Sequence, residues 1–228
     1  MGWTLNDSGN QILSSLQAVK FERDRRATDP AFAAAVGAVK QYQHQRFERT
    51  YADLLSMPRY SKAVRFFLDD LYGPGDFSQR DGEFARVVPA LVRLFPAKIV
   101  ETVNALAELH ALSEQFDSAM ALAADSDRLD DQDYGRAWRE VGNACGREQQ
   151  ISLMLSVGSA LDNYTRNPIL RQSLKLMRRP ARAAGLMSLQ RFLETGFATF
   201  HDMRGGQEFL QTVATRERQI AAALFAGA

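Results

Sequence analysis

Apolar residues recur at three- and four-residue steps along nearly the whole chain, and no sustained two-residue alternation interrupts them. That spacing gathers apolar side chains on one face of a helix. Val64, Phe67, Leu68 and Leu71 form one stripe. Ala105, Leu109, Leu112, Phe116 and Met120 form a second, and Ile151, Met154, Leu155, Gly158 and Leu161 a third. Asp81-Gly82 is the only dipeptide of the hairpin type, and no alternating strands flank it, so no sheet is expected.

Punctuation fixes where the helices start and stop. Asp29-Pro30 and Asn167-Pro168 each read as a capping residue followed by proline at the first helical position. Ser78-Gln79-Arg80-Asp81 reads as a capping box with Asp in place of Glu. Gly73-Pro74-Gly75 and Gly205-Gly206 end the helices before them. Pro89 is expected to kink or divide its helix, because its ring clashes with the preceding turn. The pattern predicts helices near 8–26, 30–56, 59–72, 79–95, 97–125, 131–145, 147–166, 168–184, 187–204 and 207–226. The expected architecture is all-α: a single bundle of about nine to ten helices over residues 1–228, with a C-terminal helical subdomain from about 168 as a variant.

Composition narrows the function. The 228 residues carry 28 Lys+Arg against 27 Asp+Glu, a balance without the basic excess of a nucleic-acid binder. The longest stretch free of charge, Gln149–Leu161, is thirteen residues, short of the ~20 apolar residues that a membrane span needs. The amino terminus lacks the basic start and apolar run of a secretory signal. Cys145 stands alone, so neither disulfides nor cysteine-rich zinc sites are expected, and the cytoplasm is the expected compartment. Cys145 lies in Asn143-Ala144-Cys145-Gly146, small residues suited to a helix packed on a neighbour. Lys175, Arg178, Arg179 and Arg182 form the densest basic cluster. It reads as a solvated helix end whose cations complement the dipole, or as a seat for a small anion.

The most distinctive stretch runs from Phe66 to Asp81. On a regular helix Arg65, Asp69 and Tyr72 share a face at i, i+4 and i+7, where Arg65 and Asp69 can pair. Asp76, Arg80 and Asp81 return nearby after the turn. Arg147 and Gln150 open an otherwise apolar helix, and a cation near a helix N-terminus calls for an acid; Asp69, Asp76 and Asp81 are the candidates. These eight residues are the expected ligand-binding or corner-pinning set.

The Phe66-Phe67-Leu68-Asp69-Asp70-Leu71-Tyr72-Gly73 segment resembles a family of uncharacterised bacterial proteins marked by an FFLxxLYG motif. Arg147-Glu148-Gln149-Gln150-Ile151, Pro180–Leu186 and Leu189–Glu194 are similar to it as well, so the resemblance covers the chain from about Tyr42 onward. It implies a bacterial, soluble, helical protein and assigns no catalytic residue.

Enzyme signatures are missing. The Glu-x-x-His pairs of di-iron bundles fail at His44, His110 and His201, which are preceded three residues earlier by Gln41, Ala107 and Ala198. Glu194 and His201 share a face, but no acid stands four residues before another histidine. No nucleophile elbow or phosphate-binding glycine loop occurs. Leu106–His110 with Phe116-Asp117 resembles the proximal-histidine segment of globins, which implies a haem or tetrapyrrole on His110. However, His110 lies about 100° around the helix from Leu109, at the border of the apolar stripe. The expected function is a non-catalytic binding or interaction module without a cofactor, taking a partner helix or a small amphipathic ligand. It would act as a monomer or a homodimer. Haem binding through His110 and an enzyme of unidentified class are the alternatives.

Overall fold

The computed structural model describes residues 7–71, 73, 75, 77–124 and 128–227. Among them lie twelve α-helices, one π-helical turn and no strand. The helices are α1 (Asp7–Thr28), α2 (Pro30–Thr50), α3 (Ala52–Ser56) and α4 (Ser61–Phe66), the last continued by the π-turn Phe67–Leu71. There follow α5 (Ser78–Leu94), α6 (Ala97–Ala123), α7 (Asp131–Val141) and α8 (Ala144–Thr165). The chain closes with α9 (Pro168–Leu176), α10 (Arg178–Ala183), α11 (Met187–Asp202) and α12 (Gln207–Ala226).

Local chemistry accounts for the ends. Asp29 accepts a hydrogen bond from Phe32 N at 3.0 Å, and Asn167 accepts from Ile169 N at 2.9 Å, with Pro30 and Pro168 just inside their helices. The α7–α8 turn needs two residues at positive φ, Gly142 at 63° and Asn143 at 59°. Asn143 then caps α8 through Gly146 N at 2.9 Å. Asn tolerates this left-handed geometry better than most residues, and α8 therefore starts three residues earlier than the pattern predicts.

Several expectations about the helices need correction, and the helix predicted over 168–184 divides at Met177 into α9 and α10. The helix over 30–56 breaks at Tyr51, whose buried hydroxyl is drawn to Glu217 Oε1 at 2.8 Å. Ser78 forms no capping box; Phe77 stands at the N-cap without a side-chain cap, and Asp81 turns inward to other partners. Of the kink or division expected at Pro89, division does not occur, and α5 runs unbroken for 17 residues. Cys145 is exposed, and the packing contact in that segment belongs to Gly146, where a Cβ would sit 2.9 Å from Phe116 Cζ.

The central helix is α6, flanked by α1, α2, α7 and α8. On its other side α8 meets α11 and α12. Gly158 makes the α8–α12 crossing close, because a Cβ there would overlap Leu210 Cδ2. Three apolar clusters fill the layers. One joins Phe47, Tyr51, Phe66, Phe67, Phe200 and Phe209; one joins Val36, Val39, Met120, Tyr134 and Trp138; the third joins Ile12, Leu16, Val88 and Val100. No helix of the described residues is long and apolar enough to cross a membrane.

Candidate binding chambers

Three helices turn polar residues toward one another at the helical repeat. From α2 come Lys40, Gln43 and Arg46, from α6 His110, Ser113, Glu114 and Asp117, and from α8 Arg147 and Gln150. These steps of three, four and seven put each set on one helical face. Tyr134 and Trp138 of α7 and Glu217 of α12 complete a charged chamber of about 110 Å³.

Its charges form a connected network. Glu114, 2 % exposed, is met by three cations: Lys40 at 3.0 Å, Arg23 at 3.3 Å, and Arg26. Burial alone would raise its carboxyl, but Lys40, Arg26 and Arg23 outweigh burial and push it down to about 2. Asp117 takes Lys40 at 3.3 Å and Gln43 at 3.1 Å. Glu217 is held through both oxygens by Arg46 at 2.9 and 3.0 Å, with Tyr51 donating at 2.8 Å. Burial and the Glu217 carboxylate together push the Tyr51 phenol well above its ordinary range.

Next to this lies the corner foreseen from sequence. Asp81 contacts Arg23 Nη1 at 2.6 Å, His110 Nε2 at 2.9 Å and Arg80 Nε at 3.5 Å. Burial opposes its ionisation, yet His110, Arg23 and Arg80 hold its carboxyl below the usual range. The Arg80 guanidinium lies between the rings of Phe77 and Phe192, 4.2 and 4.5 Å from their centroids, and donates to Asp70 O at 2.7 Å. Gln150 donates to Ser113 Oγ at 2.8 Å. Ser113 in turn donates to Leu109 O at 2.9 Å, so its proton is directed at backbone and not at His110.

Arg80, Asp81, Arg147, Gln150 and His110 thus gather at or beside the chamber. Arg65 and Asp69 do not: both are exposed, and Asp69 Oδ1 lies 3.8 Å from His44 Nε2. The π-turn at Phe67–Leu71 is the reason, since i→i+5 bonding widens each turn and rotates Asp69 out of the register assumed for an α-helix. Tyr72 and Asp76 lie outside the described residues.

Arg147 also departs from expectation. Neither Asp69 nor Asp81 answers it, and Asp76 lies outside the described residues. Its guanidinium is buried between the faces of Phe116 and Trp138, 3.8 Å from each centroid. Burial lowers its pKa. The residues that sequence reasoning passed over, Lys40, Gln43, Arg46, Glu114 and Asp117, carried one signal: polar side chains at helical spacing on helices otherwise apolar.

Two apolar chambers adjoin the charged one. The larger, about 250 Å³, is walled by Phe66, Leu106, Leu109, Leu161, Phe197 and Phe200 and roofed by Leu170, Leu174 and Met177. It shares Phe67, Leu71 and Met154 with the charged chamber. The smaller, about 130 Å³, shares Leu71, His110 and Ser113 with it. The basic cluster lies in α9 and α10, where Arg178 contacts Glu194 at 2.6 Å. Among the described residues no group of three His, Cys, Asp or Glu side chains is placed to hold a metal ion.

Fold and site together define an all-helical protein in which a charged chamber abuts an apolar one. The chain belongs to the family described as a domain of unknown function (DUF8198), whose model matches residues 22–228. That match begins some way before Tyr42, where the resemblance seen in sequence starts. No curated protein and no solved structure matches the chain.

Proposed function

We propose that this protein is a non-catalytic binding module that encloses a small amphipathic ligand among its helices. The observation that carries this reading is the 250 Å³ chamber, whose walls are almost wholly apolar and which borders a charged compartment. Natural cores are packed to near-crystalline density, and a cavity of this size forfeits dispersion contacts along its lining. A ligand that fills it restores those contacts and buries about 0.8 kcal/mol per methylene. Pockets lined mainly by apolar groups with a few placed polar ones are the usual form of small-molecule sites.

Haem binding through His110 would require the nitrogen that Asp81 and Arg23 now hold, at 2.9 and 3.3 Å. The amphipathic reading leaves that contact in place. It is tested by calorimetric titration with dodecanol, with native mass spectrometry for stoichiometry. Saturable one-to-one binding that is lost when Leu106→Trp fills the chamber is the expected result. Absence of saturable binding to the folded wild-type protein sinks the reading. A Soret band in the purified protein that disappears in His110→Ala would favour haem instead.

A further inference from the structure

Arg147 is 4 % exposed, yet no hydrogen bond or ion pair reaches its guanidinium among the described residues; its Nε and Nη2 are buried without partners. A buried cation with no hydrogen-bonded anion is costly, and natural proteins rarely keep one without a purpose. Among the described residues every carboxylate lining the chamber is already engaged: Glu114 by Lys40, Arg23 and Arg26, Asp117 by Lys40 and Gln43, and Glu217 by Arg46 and Tyr51. None is left for Arg147.

The stacking defines what is missing. Phe116 and Trp138 cover both faces of the guanidinium plane, which favours the cation through the ring quadrupoles and fixes its orientation. Its hydrogen-bonding capacity lies in the plane, along the edges, where a carboxylate or phosphate fits a planar fork. Two further donors on residues of the same chamber are buried and unpaired, Trp138 Nε1 and Arg46 Nε. Among the described residues, the fully buried side-chain atoms of the chamber that lack a partner are all N–H donors, so the complementary ligand group is an acceptor, and the Arg147 charge favours an anionic one.

We propose that Arg147 is an anion-binding residue that receives the carboxylate or phosphate head of a single-chain amphiphile. The tail passes Phe67, Leu71 and Met154 into the apolar chamber. The clause about the tail rests on the binding function proposed above; the anion site does not. Leu71 and Met154, two of the three shared wall residues, have flexible unringed side chains suited to yielding to an alkyl chain.

The test uses the full chain and four probes: dodecanoate, dodecyl phosphate, dodecanol and acetate. Calorimetry measures affinity, and Trp138 fluorescence, read in a Trp3→Phe background because the chain holds two tryptophans, reports on the head site, since its ring touches the guanidinium. Dodecanoate or dodecyl phosphate is expected to bind the wild type, and Arg147→Met to weaken that binding about tenfold or more, the loss typical of a charged hydrogen-bonding partner. Dodecanol should bind both proteins alike. Which of the two anions binds more tightly identifies the head group. Arg147→Met replaces a buried charge with an apolar chain and is expected to fold, and Arg147→Lys, which keeps the charge but loses the fork, should fall between. Equal binding of dodecanol and dodecanoate, unchanged in Arg147→Met, overturns the anion site and leaves the apolar cavity standing. Conversely, an Arg147-dependent Trp138 response to millimolar acetate, with dodecanoate no tighter, supports the anion site and overturns the tail chamber.

Discussion

Glu83 Oε2 accepts a hydrogen bond from the backbone N–H of Leu189 at 2.8 Å. Leu189 lies in the first turn of α11, whose N-cap residue, Leu186, offers no side-chain cap. A carboxylate from α5 therefore satisfies a helix end that its own sequence leaves bare. Glu83 is 2 % exposed, and Gln79, one turn earlier on α5, donates to its other oxygen at 3.1 Å. Negative charge at a helix N-terminus is favoured by the aligned peptide dipoles.

Glu83→Ala should destabilise the protein by about 1–3 kcal/mol, the cost of stranding a buried donor. Glu83→Gln, which keeps an acceptor, should lose less. Urea denaturation followed by circular dichroism measures both; an unchanged midpoint in Glu83→Ala would remove the capping role.

Glu114 controls a larger share of stability. Without it Arg23, Arg26 and Lys40 lose their common carboxylate, and Glu114→Ala is expected to cost about 3–5 kcal/mol, as for other broken buried pairs. The same group makes stability depend on acid. Its carboxyl is held near 2 in the folded chain against an ordinary value of 4.5. A group with a depressed folded pKa stabilises fully above its unfolded value, and that contribution drains away as pH falls through the folded one. The wild type should therefore lose stability steeply between about pH 4.5 and 2. In Glu114→Gln the slope across that window should be shallower. Parallel slopes in the two proteins would contradict this account.

A methyl group at Gly158 would require the Leu210 side chain to shift. Gly158→Ala drives a methyl group into Leu210 and is expected to cost about 1–3 kcal/mol, the range for overpacked cores. Leu210→Ala opens space at the same point, so the double variant should be less damaged than the two single losses added together. Strict additivity of the two denaturation midpoints would show that α8 and α12 do not meet there.

How much of this was legible beforehand differs by residue. Asp29 and Asn167 announced their helix starts because cap and proline act within a few residues of chain. Tyr51 did not announce the break between α2 and α3, since what draws it aside is Glu217, far away in sequence. The Arg65–Asp69 pair failed because the geometry assumed between them, a regular α-helix, gives way to a π-turn. Arg147 stood out as a cation at the start of an apolar helix, and that anomaly was real. Its solution was not readable, because Phe116 and Trp138, whose rings stack on the guanidinium, come from two other helices.

The roof of the apolar chamber has a consequence for how the molecule breathes. Although α9 supplies Leu170 and Leu174 to that roof, it has no buried residue of its own, and Ile169 and Leu176 stand largely in solvent. Lifting it uncovers little that the rest of the bundle depends on, so its amides should exchange with deuterated water well ahead of those in α8.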